Sequence, residues 1–132
     1  MTDTHTVDQH RTAEVARLND LVRQRKDPKA KIHLTLALNE HLYGDSPNPK
    51  RRQATHIINS MRLARLVANA EIEPGDDPHG ERDFGVVFLD ETKIYWKIDA
   101  YADDGTMQWG SEAPWDPDKT IRTLTMMLPS DY

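Results

Sequence analysis

Residues 84–101 read FGVVFLDETKIYWKIDAY and decide the fold. Two runs rich in β-branched and aromatic residues, 84–89 and 93–101, are separated by Asp90-Glu91-Thr92, a length typical of a hairpin loop. We therefore predict two neighbouring antiparallel strands, with Trp96 in the core beneath the helices.

Outward from this hairpin, the pattern of the chain predicts further strands and two helices. Apolar residues recur every three or four positions over residues 7–25 and 49–70, as in amphipathic helices. Residues 31–38 alternate apolar and polar side chains, which predicts a half-buried strand. Residues 106–111 follow a turn signal and are predicted to extend the meander, and residues 116–128, which begin like a helix, are predicted as a strand because they are rich in threonine. Together these elements predict an α+β fold in which an antiparallel sheet of about four to five strands packs against two helices.

The second predicted helix carries its apolar residues in two sets. One set keeps helical spacing and forms a stripe, while Leu63 and Leu66 lie off it, so contacts on more than one side of this helix are expected. The stripe consists of Ala54, Ile57, Ile58, Met61, Ala64, Val67 and Ala68.

Length and composition bound the class of protein. The chain has 132 residues, no cysteine and a formal net charge of -5. One domain over residues 1–132 is expected, with residues 1–7 as a disordered tail. The absence of cysteine excludes disulfides and thiolate metal sites. Because the amino terminus does not resemble a signal peptide and no apolar run approaches the roughly 20 residues of a membrane span, we expect a soluble, cytoplasmic protein without membrane contact.

The loop before the hairpin collects titratable side chains. Asp77, His79, Glu81 and Asp83 alternate along it, and in an extended backbone they would face the same way. Such a set is a candidate for binding a hard divalent cation or for acid–base catalysis. The alternative is that these residues cap turns and stay solvated, as Asp, Gly and Pro commonly do in loops.

Asp83 and Asp99 form a second candidate pair. Each lies beside a strongly apolar residue, on strands that are predicted to be neighbours. The functional interpretation is that the pair acts as an acid and a base, or binds a cation. The structural interpretation is that each carboxylate is neutralised by Lys97, Arg82 or a backbone donor.

Two further groups are candidate partner-binding residues. Trp109 and Trp115 flank a loop that contains Glu112, and aromatic side chains are favoured as interface anchors. Arg51 and Arg62 lie on one edge of the second helix, where they would contact a phosphate or an acidic partner, or simply coat a solvated face.

Several common catalytic signatures are missing from the sequence. It contains no Gly-rich phosphate loop, no serine nucleophile elbow and no His-Glu-x-x-His zinc motif. A cofactor is not expected, and a non-enzymatic role is favoured.

Four segments together resemble a bacterial domain-of-unknown-function family, number 3768. They are DPHGERDFG at residues 77–85, YWKIDAY at 95–101, GSE at 110–112 and RTLTMMLPSDY at 122–132. The family shows D-P-[YH]-G-E-H-D-F-G, F-W-K-I-D-Y-Y, G-S-E-D-P and R-V-L-T-I-M-L-A-x-E-Y at these places. Arg82 replaces the family's usual His, which weakens the hypothesis of a two-histidine metal site, and Ala100 replaces an aromatic residue. The resemblance implies a fold but no activity, and a setting among accessory genes of plasmids and phages.

These observations lead to two functional hypotheses of different classes. The first is a small acidic accessory protein of a mobile element that binds another protein, such as a host defence or nucleic-acid enzyme, and inhibits it. The second is a metal-dependent hydrolase or nuclease that uses the 77–83 loop and Asp99. Direct nucleic-acid binding through the second helix is a weaker expectation, because the chain is acidic overall. Homodimerisation through open strand edges is also considered.

Overall fold

Three α-helices and four β-strands make up the computed structural model, which describes residues 4–132. In chain order the elements are α1 (Thr4–Arg23), β1 (Lys31–Leu34), α2 (Leu36–Leu42), α3 (Pro49–Ala68), β2 (Phe84–Leu89), β3 (Thr92–Ala102) and β4 (Thr120–Met127). The predicted disordered tail, residues 1–7, lies partly outside the described residues, and α1 begins within it. Among the described residues no helix is both long and apolar enough to cross a membrane.

The strands form one sheet in the order β1-β4-β3-β2. The predicted hairpin is confirmed, since β2 and β3 pair antiparallel, and β3 and β4 are antiparallel as well. The sheet is nevertheless mixed and not purely antiparallel, because β1 pairs parallel with β4. A parallel pair needs a long crossover connection, and the intervening helices and hairpin supply it. The α+β class and the number of strands agree with the prediction.

Two strands that the sequence predicted differ in the structure. The 31–38 strand stops at Leu34, because the Thr35 side chain accepts a hydrogen bond from the Leu38 N–H and caps α2, a third helix that the alternating pattern concealed. Residues 106–111 form no strand, and Gly110 makes only an isolated bridge to Tyr101.

The last segment contains both structures that its sequence suggested. Asp116 accepts a hydrogen bond from the Asp118 N–H and starts a single helical turn, Pro117–Lys119. The chain then enters β4, which confirms the predicted strand.

The core lies between the sheet and the helices. Trp96 is fully buried, as predicted, and Gly85 lies directly across from it on β2. A Cβ at Gly85 would stand 2.5 Å from the indole ring, so only glycine fits at this position. The other buried members of the core are Val22, Leu38, Leu42, Leu63, Val67, Val87, Leu89, Ile94, Ile98, Leu124 and Met126.

Helix α3 buries only one edge of its apolar stripe. Val67 from the stripe and Leu63 beside it are buried, whereas three other stripe residues are more than half exposed. The inward positions are shared with polar residues that hold α2: Asn59 donates to the Leu42 carbonyl, and His56 is hydrogen-bonded to Asn39. The exposed stripe residues are Ile57, Ile58 and Met61, at 59%, 58% and 59% exposure.

Candidate functional site

The 77–83 loop is built by its own side chains and by left-handed backbone. Asp77 Oδ1 accepts a hydrogen bond from the Arg82 N–H at 2.9 Å, which closes the loop. Gly80 and Arg82 have φ angles of 71° and 55°, a conformation that glycine adopts freely and that other residues adopt only when their surroundings hold them.

Contacts to α1 hold Arg82 in this conformation. Its Nε lies 3.0 Å from both carboxylate oxygens of Asp20, and the neighbouring Asn19 donates to the Glu81 carbonyl at 2.8 Å. Asp20 also pairs with the buried Arg23 at 2.6 Å. The Glu81–Arg82 end of the loop is therefore an anchor that joins the hairpin to α1, and Arg82 has a structural role there.

Asp83 and Asp99 both line one cleft beside the sheet. Its volume is about 410 Å³, and its lining also includes His79, Lys97 and Tyr132. Lys97 Nζ pairs with Asp99 at 2.9 Å. The Lys97 partner that the sequence suggested for Asp99 is therefore present.

Two titratable groups of this cleft, Asp83 and Lys97, have shifted pKa values. Burial raises the pKa of Asp83; its own backbone hydrogen bond opposes the shift, and the charges of Asp77 and Asp99 add to it. The hydrogen bond to Asp99 raises the pKa of Lys97. Asp83 therefore keeps its proton to a higher pH than an ordinary aspartate does.

The four loop residues predicted as metal ligands do not come together. Asp77 is engaged by the Arg82 backbone, and Glu81 lines a separate cavity against α1, where burial raises its pKa. Only His79 and Asp83 share the cleft with Asp99. Within residues 4–132, no group of three or more His, Asp or Glu side chains is placed to hold a metal ion.

The two tryptophans predicted as interface anchors do not share a surface. Trp109 is 66% exposed and lines a cavity of about 310 Å³ with Glu112. Trp115 is half-buried beneath the guanidinium of Arg11, 4.1 Å from the ring centroid, and lines the cavity that contains Glu81.

Of the two arginines predicted on the second helix, Arg62 lines a groove. Arg62 pairs with Asp90 at 2.7 Å, and Arg51 is exposed further along the helix. Arg62 also lines a groove of about 560 Å³ between α3 and β2, which we call the β2–α3 groove. Its lining comprises Arg62, Arg65, Leu66, Asn69 and Ala70 from α3 and the segment after it, and Val86, Val87 and Phe88 from β2.

Strand β2 forms one edge of the sheet, beside this groove. The Ile98 N–H donates to the Asp83 carbonyl, and bonded pairs alternate along an antiparallel ladder, so every second residue from Gly85 directs its backbone groups toward β3. The residues between them direct their N–H and C=O groups away from the sheet. Those residues are Phe84, Val86 and Phe88.

Sequence reasoning missed the groove because none of its β2 residues carries a polar side chain. The available signal was the run FGVVFL, which has no charge and no proline, combined with the prediction that it lies in a small open sheet. Phe88 is 57% exposed, although it lies in a strand.

The fold and the groove define an α+β domain with one open, uncharged sheet edge. A family model described as "Protein of unknown function (DUF3768)" matches residues 42–131, and the chain belongs to this family. No curated protein and no solved structure matches the chain.

Proposed function

We propose that this chain is a protein-binding module that takes its partner on the β2–α3 groove. The observation that carries the proposal is the open edge of β2, whose outward backbone groups lie beside an apolar groove with arginines on its wall. Exposed strand edges are ready templates for pairing with another chain.

Proteins that leave a strand edge uncovered usually protect it with charges, proline or a bulge. Strand β2 has neither a charged residue nor a proline, and its pairing with β3 runs without interruption from Phe84 to Leu89. An edge of this kind promotes aggregation unless a partner covers it, so a binding role explains why the sequence keeps it.

The outer face of α3 extends the apolar surface. Ile58 lies one helical turn before Arg62, and Ile57 and Met61 are exposed beside it. Contiguous exposed apolar groups with a polar rim are typical of protein-binding surfaces, whereas single exposed apolar residues are ordinary.

The charge distribution favours a protein partner over nucleic acid. The chain carries a net charge of -5, and Arg62 is already neutralised by Asp90. Nucleic-acid binding depends on several cations that are free to contact phosphates.

The finer role that we propose is that of an accessory protein of a mobile element, which inhibits a host defence or nucleic-acid enzyme by binding it. This role is supported by the setting that the family resemblance implies, and by the lack of catalytic signatures in the sequence.

Site-specific photo-crosslinking in the native cells tests the proposal. A crosslinking amino acid at Phe88 is compared with one at Trp109, a matched aromatic position that is at least as exposed but lines another cavity. We expect a discrete adduct to another protein from position 88 only. Adducts from position 109 alone would place the binding surface at the tryptophan that the sequence suggested, and no adduct from either position would contradict a protein-binding function.

A second candidate function, a metal-dependent hydrolase or nuclease, is supported by one observation. Asp83 and Asp99 line the same cleft, and the pKa of Asp83 is raised by burial. Calorimetric titration with magnesium, manganese and zinc tests it, with Asp83→Asn as the control variant. Binding heat that disappears in the variant would support this function, and the absence of heat in the wild type would exclude it.

A further inference from the structure

We propose that the β2–α3 groove binds an extended segment of the partner, which pairs with β2 as an added strand and places a carboxylate on Arg65. This inference rests on the proposed function and names the class of partner that the groove takes.

Backbone geometry provides the first argument. Within the described chain, the outward N–H and C=O groups of Phe84, Val86 and Phe88 have no backbone partner. A segment paired with β2 would lie about 4.8 Å from it, on the side where the groove is open. Strand addition at a sheet edge beside a helix is an established way of binding extended peptides.

Side-chain chemistry provides the second argument. An extended segment alternates its side chains, so one set faces α3 and meets Leu66, Ala70 and Arg65. That surface is apolar apart from its arginines and the amide of Asn69. The segment is therefore expected to present apolar residues and one acidic residue toward α3.

The two arginines of the groove are not equivalent. Arg62 donates two hydrogen bonds to Asp90, at 2.7 and 3.1 Å, and is held as a wall of the groove. In the part of the chain that the structure describes, the Arg65 guanidinium has neither an ion pair nor a hydrogen bond. Arg65 is thus the cation that is free to bind a carboxylate, in the bidentate geometry that guanidinium groups favour.

This arrangement favours a different protein over a second copy of the chain. In a β2–β2 dimer the added strand would be Phe84–Leu89, which has no acidic residue to place on Arg65. Because the groove carries the positive charge of Arg65 and β2 carries no charge, the arrangement favours a partner with an acidic residue.

The probe for a direct test is a phage-displayed library of random peptides, panned against the full chain. We expect enriched peptides to alternate apolar residues around an Asp or Glu. Binding of a synthesised peptide is then measured by fluorescence anisotropy, and amide hydrogen exchange is measured with and without it. Protection of the Val86 and Phe88 amides is expected on binding, because these N–H groups would enter the added ladder.

Two variants separate the backbone contribution from the charge contribution. Val86→Pro removes an outward N–H without touching the bonds to β3, and proline is tolerated at such edge positions, so we expect a loss of binding of about tenfold or more. Val86→Ala keeps the N–H and is the matched control. Arg65→Gln is expected to weaken binding of an acidic peptide about tenfold, whereas Lys50→Gln, which changes an exposed cation of the same helix outside the groove, leaves binding unchanged.

Each outcome decides the inference. If peptides bind without acidic preference, or bind without protecting the Val86 amide, the inference is wrong, and photo-crosslinking from position 88 still decides the protein-binding function separately. Sedimentation of the wild type as a dimer that Val86→Pro converts to a monomer would identify a second copy as the occupant. A panning experiment that enriches nothing, with a chain that crosslinks through Phe88, would indicate a folded surface as the partner and not an extended segment.

Discussion

The 77–83 loop and strand β2 follow one another in the chain and differ in what they leave free. Two polar side chains of the loop are engaged within the protein, as Asp77 accepts a hydrogen bond from the Arg82 N–H and Arg82 donates to Asp20. Strand β2 has no polar side chain, yet its outward backbone groups and Phe88 remain accessible. The distinctive motif therefore maintains the architecture, while the uncharged run of β2 provides the surface that we propose for binding.

Substitution of Gly85, the last residue of the motif, is expected to have the largest effect. Gly85→Ala would place a methyl group 2.5 Å from the buried Trp96 ring, and we expect a loss of about 3 kcal/mol in the free energy of unfolding or failure to fold. Urea denaturation measures the change. Gly75→Ala, where no atom lies within 4 Å of the added Cβ, is the matched control and should remain within about 0.5 kcal/mol of the wild type. Equal stability of the two variants would show that Gly85 is not packed against the indole.

The anchor between the loop and α1 gives the next largest effect. Asp20→Asn removes the carboxylate shared by Arg82 and the buried Arg23, and an expected loss of about 2 kcal/mol follows from leaving a buried guanidinium without its counter-charge. Glu14→Gln breaks the exposed pair with Arg17 and should cost less than about 0.5 kcal/mol. Thermal unfolding of both variants at one pH measures the difference. A similar small loss in both would mean that the motif loop is not anchored through Asp20.

The raised pKa of Asp83 has an effect with a defined sign. Because the folded-state pKa lies above the unfolded value of about 3.9, the folded protein binds the proton more tightly, and stability falls as the pH rises from that value through the folded pKa. Asp83→Asn is therefore expected to be more stable than the wild type at pH 7, by up to about 1 kcal/mol given its partial exposure, and the difference should vanish below pH of about 4.

An internal comparison checks this sign. The pKa of Asp90 is lowered by its hydrogen bonds from Arg62, so Asp90→Asn should be less stable than the wild type at neutral pH, and this deficit should disappear as the pH falls. Chemical denaturation between pH 3 and 8 measures both variants. A stability deficit in Asp83→Asn at pH 7 would show that the carboxylate is stabilised in the folded state and would remove the support for acid–base chemistry in the cleft.

What the sequence predicts depends on whether local pattern or long-range geometry decides the element. The hairpin, the last strand and the two long helices follow from residue periodicity, and the burial of Trp96 follows from its strand. The parallel pairing of β1 depends on where the crossover returns the chain. The stop at Thr35 depends on a cap that competes with the alternation of Leu34, Leu36 and Leu38.

For the candidate site, too, local pattern predicts one part and long-range geometry decides the other. The nearness of Asp83 and Asp99 along the chain's neighbouring strands follows from the hairpin, and both line one cleft in the structure. The β2–α3 groove depends on which strand lies at the edge and on which face of α3 is buried. Hydrophobic periodicity alone misidentifies that face, because Asn59 and His56 take inward positions to hold α2.

The smallest expected effect on stability belongs to the outer face of α3. Ile57→Ser combined with Ile58→Ser removes apolar groups that are already more than half in water, so the free energy of unfolding should change by less than about 1 kcal/mol. Leu63→Ala on the buried side of the same helix should lose about 2–5 kcal/mol. Urea denaturation measures both, and crosslinking from position 88 in the double variant measures the contribution to binding.

Since Ile58 lies one turn before Arg62, we expect the double variant to give less of the crosslinked adduct while its fold persists. That result would distinguish the proposed binding surface on α3 and β2 from the 77–83 loop, which maintains the fold. A loss of stability comparable to that of Leu63→Ala would instead mean that the stripe is packed inside the molecule, and the comparison between loop and strand would lose its binding surface on α3.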